Sequence, residues 1–214
     1  MSTVHLEMPQ RRFRLAAGLA VACAILQPPM AAAAPDPAAR TRHVDPPVAL
    51  DDFALINQHG DRTRLSDLHG STTLVFFGFT NCRSVCPPMM QKLKQVDRAL
   101  ADDRGGLTTI LVSVDGDRDS PPVMKAFLEP FGAGFAGLTG DPLTVREIAA
   151  RFSAVFFKGM PHNQAGDYDV EHTSQVYLID AAGRLRATFY DATVDDMTAA
   201  TRAVMQERPP ASSD

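Results

Sequence analysis

The sequence predicts an α/β fold built around a mixed β-sheet, and three observations support this prediction. Apolar, β-branched runs such as residues 72–79 and 107–114 alternate with segments of helical spacing. Short clusters of Gly, Pro, Asn and Asp separate these segments, as turns do. The length of 214 residues and a hydrophobic content of 45% suit one folded domain with tails.

Residues 1–34 have the pattern of a secretory signal peptide. Arg11, Arg12 and Arg14 form a basic region, residues 15–26 are apolar, and residues 31–34 are all alanine. Because the apolar run is short for a bilayer span, the pattern favours a cleaved signal, with an uncleaved N-terminal anchor as the alternative. We therefore expect export to the periplasm, either free or anchored on the periplasmic side of the membrane.

The remaining chain divides into a linker, a domain and a tail. Residues 35–50 are rich in Pro, Ala and Arg, which predicts a flexible linker. Residues 51–207 form the predicted domain, and residues 208–214 are expected to be a disordered polar tail. Loss of residues 1–34 would change the formal net charge from −4 to −6. So acidic a domain gives no support for nucleic-acid binding.

The first half of the domain is predicted to contain a hairpin, two strands and a helix. Residues 52–57 and 61–65 flank His59-Gly60 as the strands of a hairpin flank their turn. Residues 72–79 and 107–114 are apolar enough to be buried strands. The helix predicted for residues 89–101 follows from one apolar stripe, formed by Met89, Leu93, Val96 and Leu100.

The second half is predicted to contain three helices, a hairpin and shorter strands. Asp141 precedes Pro142, which is typical of a capped helix start. Asp180-Ala181-Ala182-Gly183 is a hairpin turn. In order, the predicted elements are a helix (121–129), a strand (135–138), a helix (141–151), an extended segment (152–157), a polar loop (158–171), a hairpin (173–179 with 185–190) and a helix (194–207). This order fits a thioredoxin-like fold with an N-terminal β-hairpin and an inserted segment before the last two strands.

Two cysteines mark the turn between strand 72–79 and the following helix. Cys82 and Cys86 lie four residues apart, and Pro87 and Pro88 suit the first turn of a helix. Free amides and the helix dipole at such a terminus stabilise thiolate over thiol. The pair can clamp a metal ion or close a disulfide. A purely structural pair is the alternative, which the turn placement disfavours.

A histidine is expected to join the cysteines. His172 directly precedes strand 173–179, which in a thioredoxin-like sheet pairs close to the cysteine turn, and residues 171–176 lack the proline usual in thiol–disulfide enzymes. Two thiolates and one imidazole suit Cu(I), or Cu(II) with an added ligand, whereas structural zinc normally takes a fourth protein ligand. The other histidines of the predicted linker and domain have less specific positions: His43 in the linker, His59 and His69 in turns, and His162 in a loop.

Several segments resemble the SCO/SenC family over roughly residues 51–191. They are residues 78–87 (GFTNCRSVCP), 112–119, 137–140 and 171–180. The resemblance implies a thioredoxin-like fold and copper binding through Cys82, Cys86 and His172. It also implies a role in assembling the CuA centre of cytochrome c oxidase subunit II. Some members of the family act as thiol–disulfide reductases on that subunit or as redox sensors.

Four residues near these motifs have less certain roles. Arg83 stands where family members often have Pro, and we expect its cation to lower the pKa of the neighbouring thiols. Glu171 stands where many members have Asp. Asp115 and Asp119 follow strand 107–114, where turn and capping roles are favoured over a role in hydrogen bonding around the site.

We weigh three functions. The first is a copper metallochaperone, not an enzyme, whose partner is cytochrome c oxidase subunit II or another periplasmic copper protein, with an upstream copper donor. The second is a thiol–disulfide oxidoreductase or redox sensor, in which Cys82 attacks and Cys86 resolves. The third, a thiol peroxidase, is disfavoured because Thr80 lies only two residues before Cys82.

Overall fold

The computed structural model describes residues 40–103, 106–161, 163 and 168–207. In chain order the strands of this part are β1 (Thr41–Ala49), β2 (Ala54–Asn57), β3 (Arg62–Arg64), β4 (Thr72–Gly78), β5 (Leu107–Ser113), β6 (Phe135–Thr139), β7 (Phe156–Lys158), β8 (Val170–His172), β9 (Val176–Ile179) and β10 (Arg184–Phe189). The α-helices are α1 (Cys86–Ala99), α2 (Pro121–Leu128), α3 (Pro142–Arg151) and α4 (Val194–Gln206). The predicted element order is confirmed in outline, and the boundaries shift by a few residues.

A mixed eight-stranded sheet forms the centre of the domain. Its strand order is β1-β10-β9-β4-β5-β6-β2-β3. Strands β4, β5 and β6 run parallel, while β9 is antiparallel to β4 and the β2–β3 hairpin continues the other edge. Every residue of β4 is buried, which agrees with its continuous apolar sequence. The carboxyl end of this strand delivers the chain to the cysteine turn.

Apolar stripes of the helices and inward faces of the sheet share one hydrophobic core. The predicted stripe of Met89, Leu93 and Val96 on α1 is buried, as is Leu100 directly after the helix. The rings of Phe77, Phe152 and Tyr177 meet edge to face, with centroids 5.2–5.8 Å apart. This packing fixes β4 and its neighbours beneath the site.

Local hydrogen bonds explain where α3 begins and where the β9–β10 hairpin has its turn. The Asp141 carboxylate accepts hydrogen bonds from the amides of Leu143 and Thr144, which confirms it as the N-cap of α3. In the β9–β10 hairpin, Gly183 has a φ of 77°, and its amide donates to the Asp180 carbonyl oxygen. The turn therefore needs glycine where the sequence has it.

The predicted flexible linker is wrong over residues 41–49, because this segment is strand β1. It pairs with the edge of β10, from Thr41 opposite Phe189 to Ala49 opposite Arg184. Its side chains are exposed or half-buried, so the segment lacks the alternation of a typical strand. Backbone hydrogen bonds cover the open edge of β10 without leaving an apolar pattern in the sequence.

The inserted segment also differs from its prediction. Phe152 is the C-cap of α3, and residues 156–158 pair with residues 170–172 to form a separate two-stranded sheet, β7–β8. The predicted signal peptide, the tail 208–214 and His162 lie outside the described residues. In the described part of the chain, no helix combines the length and the apolar character that a membrane crossing needs.

Candidate metal centre

The cysteine arm, defined as residues 79–86, connects β4 to α1. Cys86 is the first residue of α1, whereas Cys82 lies in the turn before it, so only one of the two cysteines belongs to the helix. The Cys82 sulfur accepts a hydrogen bond from the Cys86 amide at 3.3 Å. Val85 is the N-cap residue, and the Cys82 sulfur supplies a partner for one amide of the first turn that would otherwise lack one in the helix.

Gly78 makes room for the buried thiol. A Cβ at this position would lie 3.1 Å from the Cys86 sulfur and 2.9 Å from a ring carbon of Phe76. Cys86 itself is fully buried, and Cys82 is half-buried; both are free thiols. The end of β4 therefore holds one thiol in the core and leaves the other at the surface.

A buried carboxylate fastens the cysteine arm to the next strand. Asp119 accepts hydrogen bonds from the Thr80 amide at 3.0 Å, the Thr80 hydroxyl at 2.6 Å and the Ser113 hydroxyl at 2.7 Å. The Asp119 side chain is completely shielded from solvent. It thus joins the loop after β5 to the residue two positions before Cys82, which goes beyond the turn role favoured from sequence.

The histidine arm, defined as strands β7 and β8, brings His172 over the cysteines. His172 pairs with Phe156 at the end of β8, and its ring packs edge-on against Phe76 and Phe79 with centroids 5.8 Å away. Its Nδ1 lies 3.1 Å from the Thr173 carbonyl oxygen. A carbonyl only accepts, so Nδ1 carries the proton and Nε2 keeps its lone pair. That Nε2 lies 3.4 Å from the Cys86 sulfur.

The three predicted ligands converge. The sulfur atoms of Cys82 and Cys86 and one ring nitrogen of His172 all lie within 4.8 Å of one another, and no other His, Cys, Asp or Glu cluster of this kind occurs among the described residues. The group lies at a cleft of about 650 Å³ whose wall includes Arg83, Arg118, Tyr168 and Glu171. Two sulfurs and one nitrogen form a soft, low-coordinate donor set.

The two thiols have opposite acid–base properties. Burial raises the pKa of Cys82, but hydrogen bonds from Cys86 and from the amides of Ser84 and Val85 outweigh it and lower that pKa below its ordinary value. Burial strongly raises the pKa of Cys86. The expectation that Arg83 lowers the pKa of both thiols is wrong for Cys86, and the Cys82 pKa is lowered by these hydrogen bonds, without Arg83 among the causes.

His172 is held in its neutral form. Burial lowers its pKa, and the carbonyl groups of Thr173 and Phe77 oppose this effect only in part. A neutral imidazole with a free Nε2 is the form that binds metals. The other described histidines, His43, His59 and His69, take no part in the group.

Sequence reasoning missed two residues of the cleft wall, Tyr168 and Arg118, and their connection to Asp115. Tyr168 donates a hydrogen bond from its hydroxyl to Asp115 at 2.6 Å, and Arg118 pairs with the same carboxylate. Tyr168 lies in a segment read as a polar loop, and no periodicity singles it out. The one signal in the sequence was its position, four residues before His172, which places it close to the predicted site.

The fold and this centre define a thioredoxin-like protein with a two-thiol, one-imidazole donor set. The chain belongs to the SCO1/SenC family, whose model matches residues 42–206. An SCO2-like protein of Rickettsia felis is 31% identical over 139 residues, covering 65% of this chain and 68% of the relative.

Solved structures agree with this assignment. Bradyrhizobium japonicum ScoI with copper bound is 32% identical, with a TM-score of 0.66, and the match covers 73% of this chain and 99% of that one. BsSco, a member of the Sco family of cytochrome c oxidase assembly proteins with an identified disulfide switch, is 25% identical, with a TM-score of 0.62 and coverage of 76% and 96%. The thioredoxin-like fold is therefore confirmed.

Proposed function

We propose that this protein is a copper metallochaperone that binds one copper ion through Cys82, Cys86 and His172. The observation that carries the proposal is the convergence of these three ligand atoms within 4.8 Å. Copper bound to the related B. japonicum ScoI supports the choice of metal. The thiolate and imidazole donors suit Cu(I), and Cu(II) fits with an added ligand.

Each ligand has a distinct part in binding and release. Cys82 is the readier thiolate and borders the open cleft, so it is the first sulfur to meet the incoming ion. Cys86 must release its proton as copper binds, which couples binding to pH. Transfer to a client then proceeds by ligand exchange, in which a client thiolate enters from the cleft and displaces one ligand at a time.

The client we propose is cytochrome c oxidase subunit II, whose CuA centre receives the metal, or another periplasmic copper protein. The family of BsSco, which consists of cytochrome c oxidase assembly proteins, supports this choice. The signal-like sequence of residues 1–34 supports action in the periplasm after export.

An anaerobic Cu(I) titration of the reduced full chain, with a competing chelator, tests copper binding. We expect one tight equivalent, and His172→Ala should weaken it by more than about 100-fold, because even outer-shell changes cost 10- to 100-fold. His59→Ala, a histidine in an exposed turn, is the matched control and should bind as the wild type does. Equal affinity in all three proteins would contradict the three-ligand site.

A thiol–disulfide oxidoreductase is the second candidate, favoured by the lowered pKa of Cys82 and its contact with the Cys86 amide at 3.3 Å. The Cys82 thiolate would attack a client disulfide and release one client thiolate. Deprotonated Cys86 would then attack the Cys82 sulfur, which forms the Cys82–Cys86 disulfide and releases the reduced client. If client reduction survives His172→Ala but is lost in Cys82→Ser, this function gains over copper transfer.

A further inference from the structure

Tyr168 is held from several sides by residues of one loop and one strand. Its hydroxyl donates to Asp115 at 2.6 Å, and its carbonyl accepts from Arg118 Nη1 at 3.1 Å. The Arg118 guanidinium also lies over its ring, 3.8 Å from the centroid, and Lys158 Nζ lies 4.0 Å from that centroid. The tyrosine is therefore fixed by its hydroxyl, its ring and its backbone at once.

The hydrogen-bond partners of Tyr168, Asp115 and Arg118, belong to the scaffold loop, defined as residues 115–119. Asp117 of this loop pairs with Lys158 of β7 at 2.7 Å, while Asp119 holds Thr80 of the cysteine arm. The scaffold loop therefore contacts both the cysteine arm and the histidine arm. The carboxylate that receives the Tyr168 hydroxyl is almost completely buried, with 2% of the Asp115 side chain exposed.

The histidine arm needs such a support from outside itself. A two-stranded sheet is marginally stable alone, and β7–β8 pairs through only three residues on each strand. Tyr168 lies two residues before β8 and four before His172. In addition, the Phe79 ring lies 5.9 Å from the Arg118 guanidinium and 5.8 Å from the His172 ring, which joins the same network to the imidazole.

We propose that Tyr168 is a positioning residue for the metal centre, which acts through His172 by clamping the histidine arm to Asp115 and Arg118 of the scaffold loop. This inference rests on the proposed role of His172 as a copper ligand. A merely structural Tyr168 would stabilise the fold without favouring one ligand. The two roles differ in whether the effect on copper depends on His172.

A double-mutant cycle on the full chain separates these roles. Tyr168→Phe removes only the hydroxyl, and we expect it to weaken Cu(I) binding by about tenfold, the scale of outer-shell partners. In the His172→Ala background the same change should alter affinity by less than about twofold, because the ligand through which it acts is gone. An equal loss in both backgrounds would overturn the proposal.

The apo protein supplies a second readout that needs no copper. The His172 ring protons lie beside Phe76 and Phe79, so aromatic ring currents shift their NMR resonances. We expect Tyr168→Phe and Asp115→Asn to move these resonances toward the values of an unstructured histidine. Asp103→Asn, which breaks the remote Asp103–Arg202 pair, is the matched control and should leave them in place.

The two readouts distinguish failure of this inference from failure of the proposed function. If the wild type binds no copper, the proposed function fails, and the resonances alone decide the role of Tyr168. If copper binds as proposed but the resonances stay unchanged in Tyr168→Phe, the positioning role is wrong. Because Tyr168→Phe is conservative, the test stands even if Asp115→Asn unfolds.

Discussion

The cysteine arm and the histidine arm meet at one centre but are built in different ways. The cysteine arm continues from β4, which is buried along its whole length in the eight-stranded sheet. The histidine arm is a separate two-stranded sheet whose Phe157 and Glu171 are exposed. One arm is part of the core, and the other is held against it by side chains.

This difference shows how one centre can combine a fixed pair of thiols with an imidazole that is less firmly held. Buried backbone hydrogen bonds and packing fix Cys86, and a buried carboxylate fixes the turn before Cys82. The histidine arm depends on hydrogen bonds between residues far apart in sequence: the Tyr168 hydroxyl donates to Asp115, and Arg118 donates to the Tyr168 carbonyl oxygen. We expect local opening to cost less free energy at the histidine arm than at the cysteine arm.

The largest loss of stability should come from Asp119→Ala, because Asp119 anchors the cysteine arm. The change removes the carboxylate that accepts three hydrogen bonds and leaves the Thr80 amide without its charged partner. We expect the free energy of unfolding to fall by about 3 kcal/mol, since hydrogen bonds to charged groups are the stronger ones. Urea denaturation of the apo protein measures it.

Asp117→Ala is the matched control two residues away in the same loop. Its carboxylate is half-exposed and pairs with half-exposed Lys158, so its loss should cost less than about 1 kcal/mol. Equal destabilisation by the two changes would show that the cysteine arm has no special anchor.

A smaller loss of stability is expected from Gly78→Ala, because the added methyl group crowds the end of β4 next to the cysteine arm. The new methyl would lie 2.9 Å from Phe76 and 3.1 Å from the Cys86 sulfur and Leu111. Overpacking of this kind costs about 2 kcal/mol. Thermal unfolding monitors the loss, and an unchanged melting temperature would mean that β4 yields more readily than its burial suggests.

The sequence predicted the cysteine arm better than the histidine arm, for a physical reason. An apolar run, a cysteine pair and two prolines are local signals, and they placed the turn and the start of α1 within a few residues. His172 was chosen for its place before a strand, but the strand that carries it is β8, since β9 begins only at Val176. His172 does converge with Cys82 and Cys86, although the strand that carries it was not predicted.

The residues that hold the two arms in place could not be predicted, because their contacts join distant parts of the chain. Tyr168 meets Asp115 across 53 positions, and Thr80 meets Asp119 across 39. Neither pairing leaves a periodic pattern in the sequence. Strand β1 escaped prediction similarly, since it pairs through its backbone and buries few side chains.

Thiol alkylation should separate the two cysteines within their arm. Cys82 is half-buried with a lowered pKa, whereas Cys86 is buried with a raised pKa. With iodoacetamide at neutral pH, Cys82 should react more than about tenfold faster, since one pKa unit changes the thiolate fraction tenfold. Its rate should fall as pH drops through its own pKa, because the thiolate is then protonated. Mass spectrometry of the peptides assigns the sites; faster reaction at Cys86 would contradict the asymmetry.

The smallest effect is expected at the junction of the histidine arm, from Thr173→Val. The Thr173 hydroxyl accepts from the Val155 amide at 3.0 Å and donates to the Val155 carbonyl at 3.1 Å. Valine keeps the shape but loses both bonds, so we expect a cost of about 1 kcal/mol. Hydrogen exchange should quicken at the amides of β8 and stay unchanged in β4, while Thr108→Val in β5 serves as the control. Faster exchange in both strands would mean that the two arms open together, and the contrast between a fixed thiol pair and a separately held imidazole would be wrong.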